Sequence, residues 1–242
     1  MSDFPLTHRF TEALHLAHVW HTGQYRKGTG TPYVSHLLGV ASVALEFGAN
    51  EDEAIAALLH DALEDGPEYT GLDASHLWQE IADTFGEDVA RLVEGATDAT
   101  PQAGEPKAPW VDRKTQYLGR LAHEDASSLL VSASDKLHNA RSILTDVLTA
   151  GETAEARAAF FTRFNQGQQG TLQYYRLLVD AYRASAGAKD RPRLQALFAE
   201  LDRTVSALET ACGVTAETVR DFPPLRTLRE PVTGGETGEV KV

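Results

Sequence analysis

The sequence predicts an all-α protein, and three observations carry that expectation. Apolar residues recur at helical spacing along most of the 242 residues, as they do when one face of a helix is buried. No run alternates apolar and polar residues in the manner of a half-buried strand. Glycine- and proline-bearing segments separate the periodic stretches, as interhelical loops do.

Taken in order, Thr7 caps a first helix whose Phe10, Leu14, Ala17 and His21 share a face. A polar loop follows over residues 23–30, and Thr31-Pro32 reads as an N-cap with proline at the first helical position of a second helix. That helix buries Leu37, Val40, Ala44 and Phe47. A third is expected over residues 51–65, packed through Ala54, Ile55, Leu58, Leu59 and Ala62 and stopped by Gly66-Pro67. Two more use Leu77, Ile81 and Phe85, then Val89, Leu92 and Val93. Residues 97–109 read as a loop, and Trp110, Tyr117, Leu118 and Leu121 mark the next helix. The strongest periodicity runs through Leu130, Ala133, Leu137, Ala140, Leu144 and Val147. The pattern stays helical to Leu194, Leu197, Leu201, Val205 and Leu208, and from about Pro223 a polar tail is expected to be disordered. No internal repeat is visible.

A chain of this length buries a hydrophobic core without covalent staples. No apolar run approaches the roughly 20 residues that cross a bilayer, and the first residues lack the blocks of a secretory signal. Cys212 is the single cysteine, so the expected location is cytoplasmic. The formal net charge of −13 argues against long nucleic acid as a partner. It leaves room for a small anion in a locally basic pocket.

The sharpest local feature is Leu58-Leu59-His60-Asp61-Ala62-Leu63-Glu64-Asp65. On a helix, Glu64 falls one turn after His60, and Asp65 one turn after Asp61. An imidazole and three carboxylates then form one stripe beside an apolar face. A solvated helix face is the plain alternative. Against it, Glu64 and Asp65 would crowd the negative end of the helix dipole, which a bound cation would relieve. Partners also exist elsewhere. His36 lies early in the preceding helix, and Asp135 follows the apolar stretch Leu129-Leu130-Val131-Ser132-Ala133-Ser134. A buried carboxylate is costly unless paired or ligating. Two imidazoles and two carboxylates suit one divalent ion, Mn²⁺ or Fe²⁺ in an octahedral shell, with Zn²⁺ as a further option.

Three blocks then fall in one order: Arg26-Lys27-Gly28-Thr29-Gly30-Thr31-Pro32-Tyr33-Val34-Ser35-His36, His60-Asp61-Ala62-Leu63-Glu64-Asp65, and Asp135-Lys136-Leu137-His138-Asn139-Ala140-Arg141. Together they resemble the HD-domain metal-dependent phosphohydrolases, most closely the hydrolase domain of RelA/SpoT-type enzymes and their small stand-alone relatives, which cleave ppGpp. The resemblance implies a helical bundle over residues 1–185, a C-terminal helical extension over 186–222 and a tail over 223–242. It implies a single divalent ion, Mn²⁺ foremost, on His36, His60, Asp61 and Asp135. Glu64 and Asp65 match its water-activating acidic pair. Arg26, Lys27, Asn139 and Ser142 match positions that meet the nucleotide, and Lys136 is a further candidate for the phosphates. The implied reaction is hydrolysis of a nucleotide phosphoester or pyrophosphoester, with a 3′-pyrophosphate as the leading substrate. The rivals are a phosphatase acting on NADPH, a deoxynucleotide or another phosphorylated metabolite, and a non-catalytic nucleotide-sensing module.

Other features read as structural. His15, His18 and His21 stand at helical spacing but lack carboxylate neighbours other than Glu12, so packing or surface roles are expected. Arg113 and Lys114 read as solvated, Arg141 as structural and Tyr174-Tyr175 as packing. A pocket role for His138 is open.

Overall fold

Thr7 caps the first helix as expected, its side chain accepting from the Arg9 N–H. The computed structural model describes residues 5–97, 108–151 and 153–225. In these residues the helices are α1 (His8–Trp20), α2 (Val34–Glu46), α3 (Glu51–Leu59), α4 (Gly66–Thr70), α5 (Ala74–Phe85), α6 (Glu87–Ala96), α7 (Trp110–Arg120), α8 (Ala126–Ala150), α9 (Ala154–Phe161), α10 (Gly167–Ala184), α11 (Pro192–Ala211) and α12 (Ala216–Arg220). The expected all-α class holds, the only extended pairing among the described residues being an isolated bridge between Tyr25 and Pro32. Most of the loop expected over residues 97–109 lies outside the described residues. No described helix is long and apolar enough to cross a membrane.

The helix with the strongest periodicity is the centre of the fold. Every residue of α8 from Ser128 to Leu137 is buried, because α2, α3, α6 and α11 all pack on it. Its buried polar groups find partners: Ser134 donates to the Leu130 carbonyl at 2.8 Å, and Ser132 pairs with the Tyr182 hydroxyl of α10 at 2.5 Å. The C-terminal helices are bound to this core by charge as well as apolar contact. Arg191, just before α11, grips Glu53 through two bonds of 2.5 and 2.7 Å. Glu53 also closes the capping box with Asn50 at the start of α3. The chain stays packed through Leu225, which is buried and donates its N–H to Gln173 Oε1 at 2.8 Å.

Two boundaries differ from expectation, both at functional segments. Helix α2 starts at Val34 rather than at Pro32, because the stretch before it closes a clasp. The Arg26 N–H bonds to the Thr31 carbonyl at 2.8 Å, and the Tyr33 N–H to the Gln24 carbonyl at 2.9 Å. The helix expected over residues 51–65 ends at Leu59, and residues 60–65 run as turns. Buried Ala62 and Leu63 continue the apolar period while the regular backbone ladder does not. Gly66-Pro67 therefore begins α4 rather than ending α3. Glu64 and Asp65 precede a short helix instead of crowding the end of a long one, so the dipole argument for a cation does not apply to them.

Candidate metal centre and adjoining cleft

His36 on α2, His60 at the end of α3 and Asp135 on α8 converge in the core. Each offers one ligand atom, and those atoms all lie within 4.8 Å of one another. The His36 Nε2 stands 3.3 Å from Asp135 Oδ1 and 3.5 Å from Asp61 Oδ2. The His60 Nε2 stands 2.9 Å from Asp61 Oδ2 and 3.6 Å from Asp135 Oδ1. Asp61 thus adjoins the cluster of three, its Oδ2 also accepting from the Tyr33 hydroxyl at 2.6 Å.

The donor set fits a divalent cation. His60 Nδ1 is 2.9 Å from the Ala57 carbonyl, a bond that only a protonated Nδ1 makes. Burial opposes a charged ring, yet without a cation Asp61 and Asp135 raise the His60 pKa well above 6.5. The proton a metal would displace is the one on Nε2, leaving that lone pair aimed at the cluster. That Nε2 is buried and has no hydrogen-bond partner among the described residues, although a carboxylate oxygen lies 2.9 Å away. Two groups that approach closely without bonding to each other are placed like ligands of a common centre. His36 is oriented in the same way from behind, its Nδ1 lying 2.9 Å from His138 Nδ1. Burial, reinforced by the charges of His36 and Arg26, lowers the His138 pKa to about 4, so its ring is neutral and has one nitrogen able to accept from a His36 Nδ1–H. Burial opposes ionisation of Asp61 and Asp135. The His60 imidazole beside Asp61, and Lys136 beside Asp135, nevertheless hold both carboxyls well below the usual range. Burial and the nearby carboxylate charge push the Tyr33 phenol well above 10, so it remains a donor.

Beside the cluster opens a cleft of about 900 Å³ that includes Gln24, Arg26, Lys27, Asp65, Asn139, Ser142 and Arg163 in its walls. A smaller recess of about 270 Å³ shares Tyr33, Asp65 and Asn139 with it and reaches Asp61, Glu64, Lys114, Asp135 and Lys136. The metal cluster and the basic loop therefore open on connected space. Arg26 donates to Asn139 Oδ1 at 2.8 Å, while Asn139 Nδ2 donates to Asp135 Oδ1 at 2.5 Å. Lys136 is turned inward, its Nζ 2.6 Å from Asp135 Oδ2 and over the Tyr117 ring at 5.0 Å. Its nearest anion is thus Asp135.

Of the residues read as structural, Arg141 pairs with Glu200 at 3.1 Å, and the Tyr174 ring packs against Trp110 and Tyr175. Lys114 lies over Tyr174 at 4.6 Å and also borders the recess. Sequence reasoning missed two contributors, Tyr33 and Gln24, and left a third, His138, open. Tyr33 bonds Asp61, His138 backs His36, and Gln24 donates to Asp65 Oδ2 at 2.8 Å. Only Tyr33 and His138 stood inside conspicuous blocks. Nothing in the spacing of Gln24 singled it out.

Residues 13–166 match the HD domain family. The chain belongs to that family. Over 135 residues the HD chain is 33% identical to MESH1 of Danio rerio, a guanosine-3′,5′-bis(diphosphate) 3′-pyrophosphohydrolase, covering 54% of this chain and 67% of that protein. It is 34% identical over 124 residues to the Aquifex aeolicus protein of the same description, covering half of this chain but only 16% of that much longer one. In three dimensions it matches the structure of a metazoan ortholog of SpoT that hydrolyzes ppGpp. That match has a TM-score of 0.55 and 25% identity, and covers 84% of this chain and 97% of the other. A structure from Listeria monocytogenes matches with a TM-score of 0.56 and 26% identity, over 75% of this chain and 98% of the other.

Proposed function

We propose that this HD protein is a metal-dependent phosphohydrolase that releases pyrophosphate from the 3′ position of a guanosine bis(diphosphate). The observation that carries the reading is the convergence of the His36, His60 and Asp135 ligand atoms within 4.8 Å, beside a cleft lined by Arg26, Lys27 and Asp65. The substrate class follows the names of relatives that are 33% and 36% identical to the chain over 135 residues, about half of its length. In this reading His36, His60, Asp61 and Asp135 hold one divalent ion, with Mn²⁺ ahead of Fe²⁺ and Zn²⁺. When bound, the ion supplies a water acidified toward neutrality and positive charge for the phosphoryl oxygens.

The chain's own residues do the rest. Asp65, with Glu64 beside it, takes the proton of the attacking water. The new P–O bond forms as the bond to the 3′ oxygen breaks, and that oxygen leaves with a proton. Arg26 and Lys27 sit on the glycine-bearing loop at the mouth of the cleft and meet the nucleotide there, with Asn139 and Ser142 opposite them on α8. Lys136 holds the Asp135 carboxylate rather than the substrate. The single thiol, Cys212, is unpaired, which accords with a cytoplasmic enzyme acting on a small nucleotide.

The test is incubation of Mn²⁺-loaded protein with ppGpp, NADPH and deoxynucleotides, followed by product analysis. Pyrophosphate with a guanosine 5′-diphosphate is the expected product pair. Orthophosphate from NADPH alone would transfer the chemistry to a different substrate. Metal uptake without turnover on any of them would leave a nucleotide sensor.

A further inference from the structure

His21 and Gln24 lie behind Asp65, outside the metal cluster and unused in the mechanism above. Both are buried. Gln24 Nε2 is 2.8 Å from Asp65 Oδ2, and Gln24 Oε1 is 2.5 Å from His21 Nδ1. These two contacts fix every proton between them. An ionised carboxylate only accepts, so the Gln24 nitrogen must be the atom facing Asp65. Its oxygen then faces His21 and needs a donor, so Nδ1 of His21 carries the ring proton. The opposite tautomer would set two lone pairs against each other. It would also bury an N–H at Nε2, an atom with no hydrogen-bond partner among the described residues.

The ring that starts this chain is itself held. It stacks on Tyr33 with centroids 5.4 Å apart and planes 22° from parallel. Burial keeps its pKa below the ordinary 6.5, so the imidazole is neutral with one N–H. Gln24 also anchors the clasp that carries Arg26, through its carbonyl bond to the Tyr33 N–H. One residue, through its side chain and its main-chain carbonyl, thus ties the end of α1 and the substrate loop to the acid beside the metal cluster.

We propose that His21 and Gln24 are positioning residues for Asp65. The His21 Nδ1–H locks the Gln24 amide, and the amide holds one carboxylate oxygen, setting the direction from which Asp65 meets the attacking water. This rests on Asp65 being the proton acceptor of the hydrolysis. It adds two buried residues outside the metal cluster, and it assigns the tautomer of a histidine that its spacing alone marks as packing.

The first test is the His21 tautomer by ¹⁵N-histidine NMR on Zn²⁺-loaded protein. A proton on Nδ1 and none on Nε2 is expected, and the reverse would overturn the proposal without any variant having to fold. The second test is kinetic, on Mn²⁺-loaded variants. Gln24→Met and His21→Leu should each lose kcat by about tenfold or more with KM within about twofold, as when an interaction serves the transition state alone. Mn²⁺ affinity by calorimetry should match the unaltered protein. His21→Asn presents an amide donor near the old Nδ1 position and should recover most of the loss. Full kcat in Gln24→Met, with Asp65→Asn inactive, would sink the positioning role and leave the hydrolase reading intact. Full kcat in Asp65→Asn would sink the positioning role together with Asp65 as the proton acceptor.

Discussion

Gly39 on α2 lies so close to His138 on α8 that a Cβ at residue 39 would stand 2.2 Å from the imidazole Nε2. No side chain fits there unless the ring moves. The same ring sits 2.9 Å from His36 Nδ1, so the bare backbone of one helix makes room for the group that orients a candidate ligand. Alanine is intrinsically better than glycine within a helix by about 1 kcal/mol. Gly39→Ala should nonetheless weaken Mn²⁺ binding by roughly 10- to 100-fold, the usual cost of losing a group that orients a metal-bound histidine. Isothermal titration of the variant checks this, with circular dichroism expected to show full helix content. Unchanged affinity would mean that the ring relocates without disturbing His36.

Asp61 and Asp135 should separate when stability is measured in metal-free protein. Asp135 carries the buried Lys136 ammonium at 2.6 Å, so Asp135→Ala strands a charge and should cost about 3–5 kcal/mol. Asp61 is partly exposed and accepts from the Tyr33 hydroxyl. Asp61→Ala should cost much less stability while abolishing metal retention and turnover. Urea denaturation of both variants without metal distinguishes the two roles.

The C-terminal helices are joined by a buried charge network whose loss should be structural. Arg176 on α10 meets Glu209 at 2.8 and 2.7 Å and Asp202 at 2.6 Å, both on α11. Arg176 and Glu209 are each 3% exposed. Removing the guanidinium leaves a buried carboxylate unpaired, so Arg176→Met should destabilise by about 3–5 kcal/mol. Turnover per folded molecule should be unchanged. A lowered melting temperature with the normal kcat at low temperature is the expected pair of results.

Cys212 should react slowly in the native state. Burial pushes its thiol above the ordinary value of 9.0, so the fold disfavours the thiolate that alkylating agents attack. Iodoacetamide labelling at pH 8 should be slower for folded than for urea-unfolded protein. A raised thiol pKa also means that the folded chain keeps this proton to higher pH. The stability tied to it is full below pH 9.0 and declines as pH rises through the folded value.

Much of this was legible in one dimension, for identifiable reasons. Helix α8 announced itself because a buried helix needs apolar residues at every turn, and Leu130, Leu137 and Val147 supply them. Asp135 stood out because an acid in that setting requires compensation. The end of α3 was misplaced because Ala62 and Leu63 keep the apolar period after the backbone ladder has ceased at Leu59. Burial patterns report which side faces the core, whereas hydrogen-bond geometry decides whether the segment is still a helix.

By itself the sequence determined the helical class, the order of the helices and the residue types that suit a cation, since these depend on local periodicity and intrinsic chemistry. Only the tertiary structure decided that Lys136 pairs with Asp135, that His138 backs His36, and that His21 reaches Asp65 through Gln24. Each is a contact of one particular rotamer, and most join separate helices or loops. Distance along the chain carries no record of them, because packing brings the partners together and the directionality of hydrogen bonds then fixes which atoms meet.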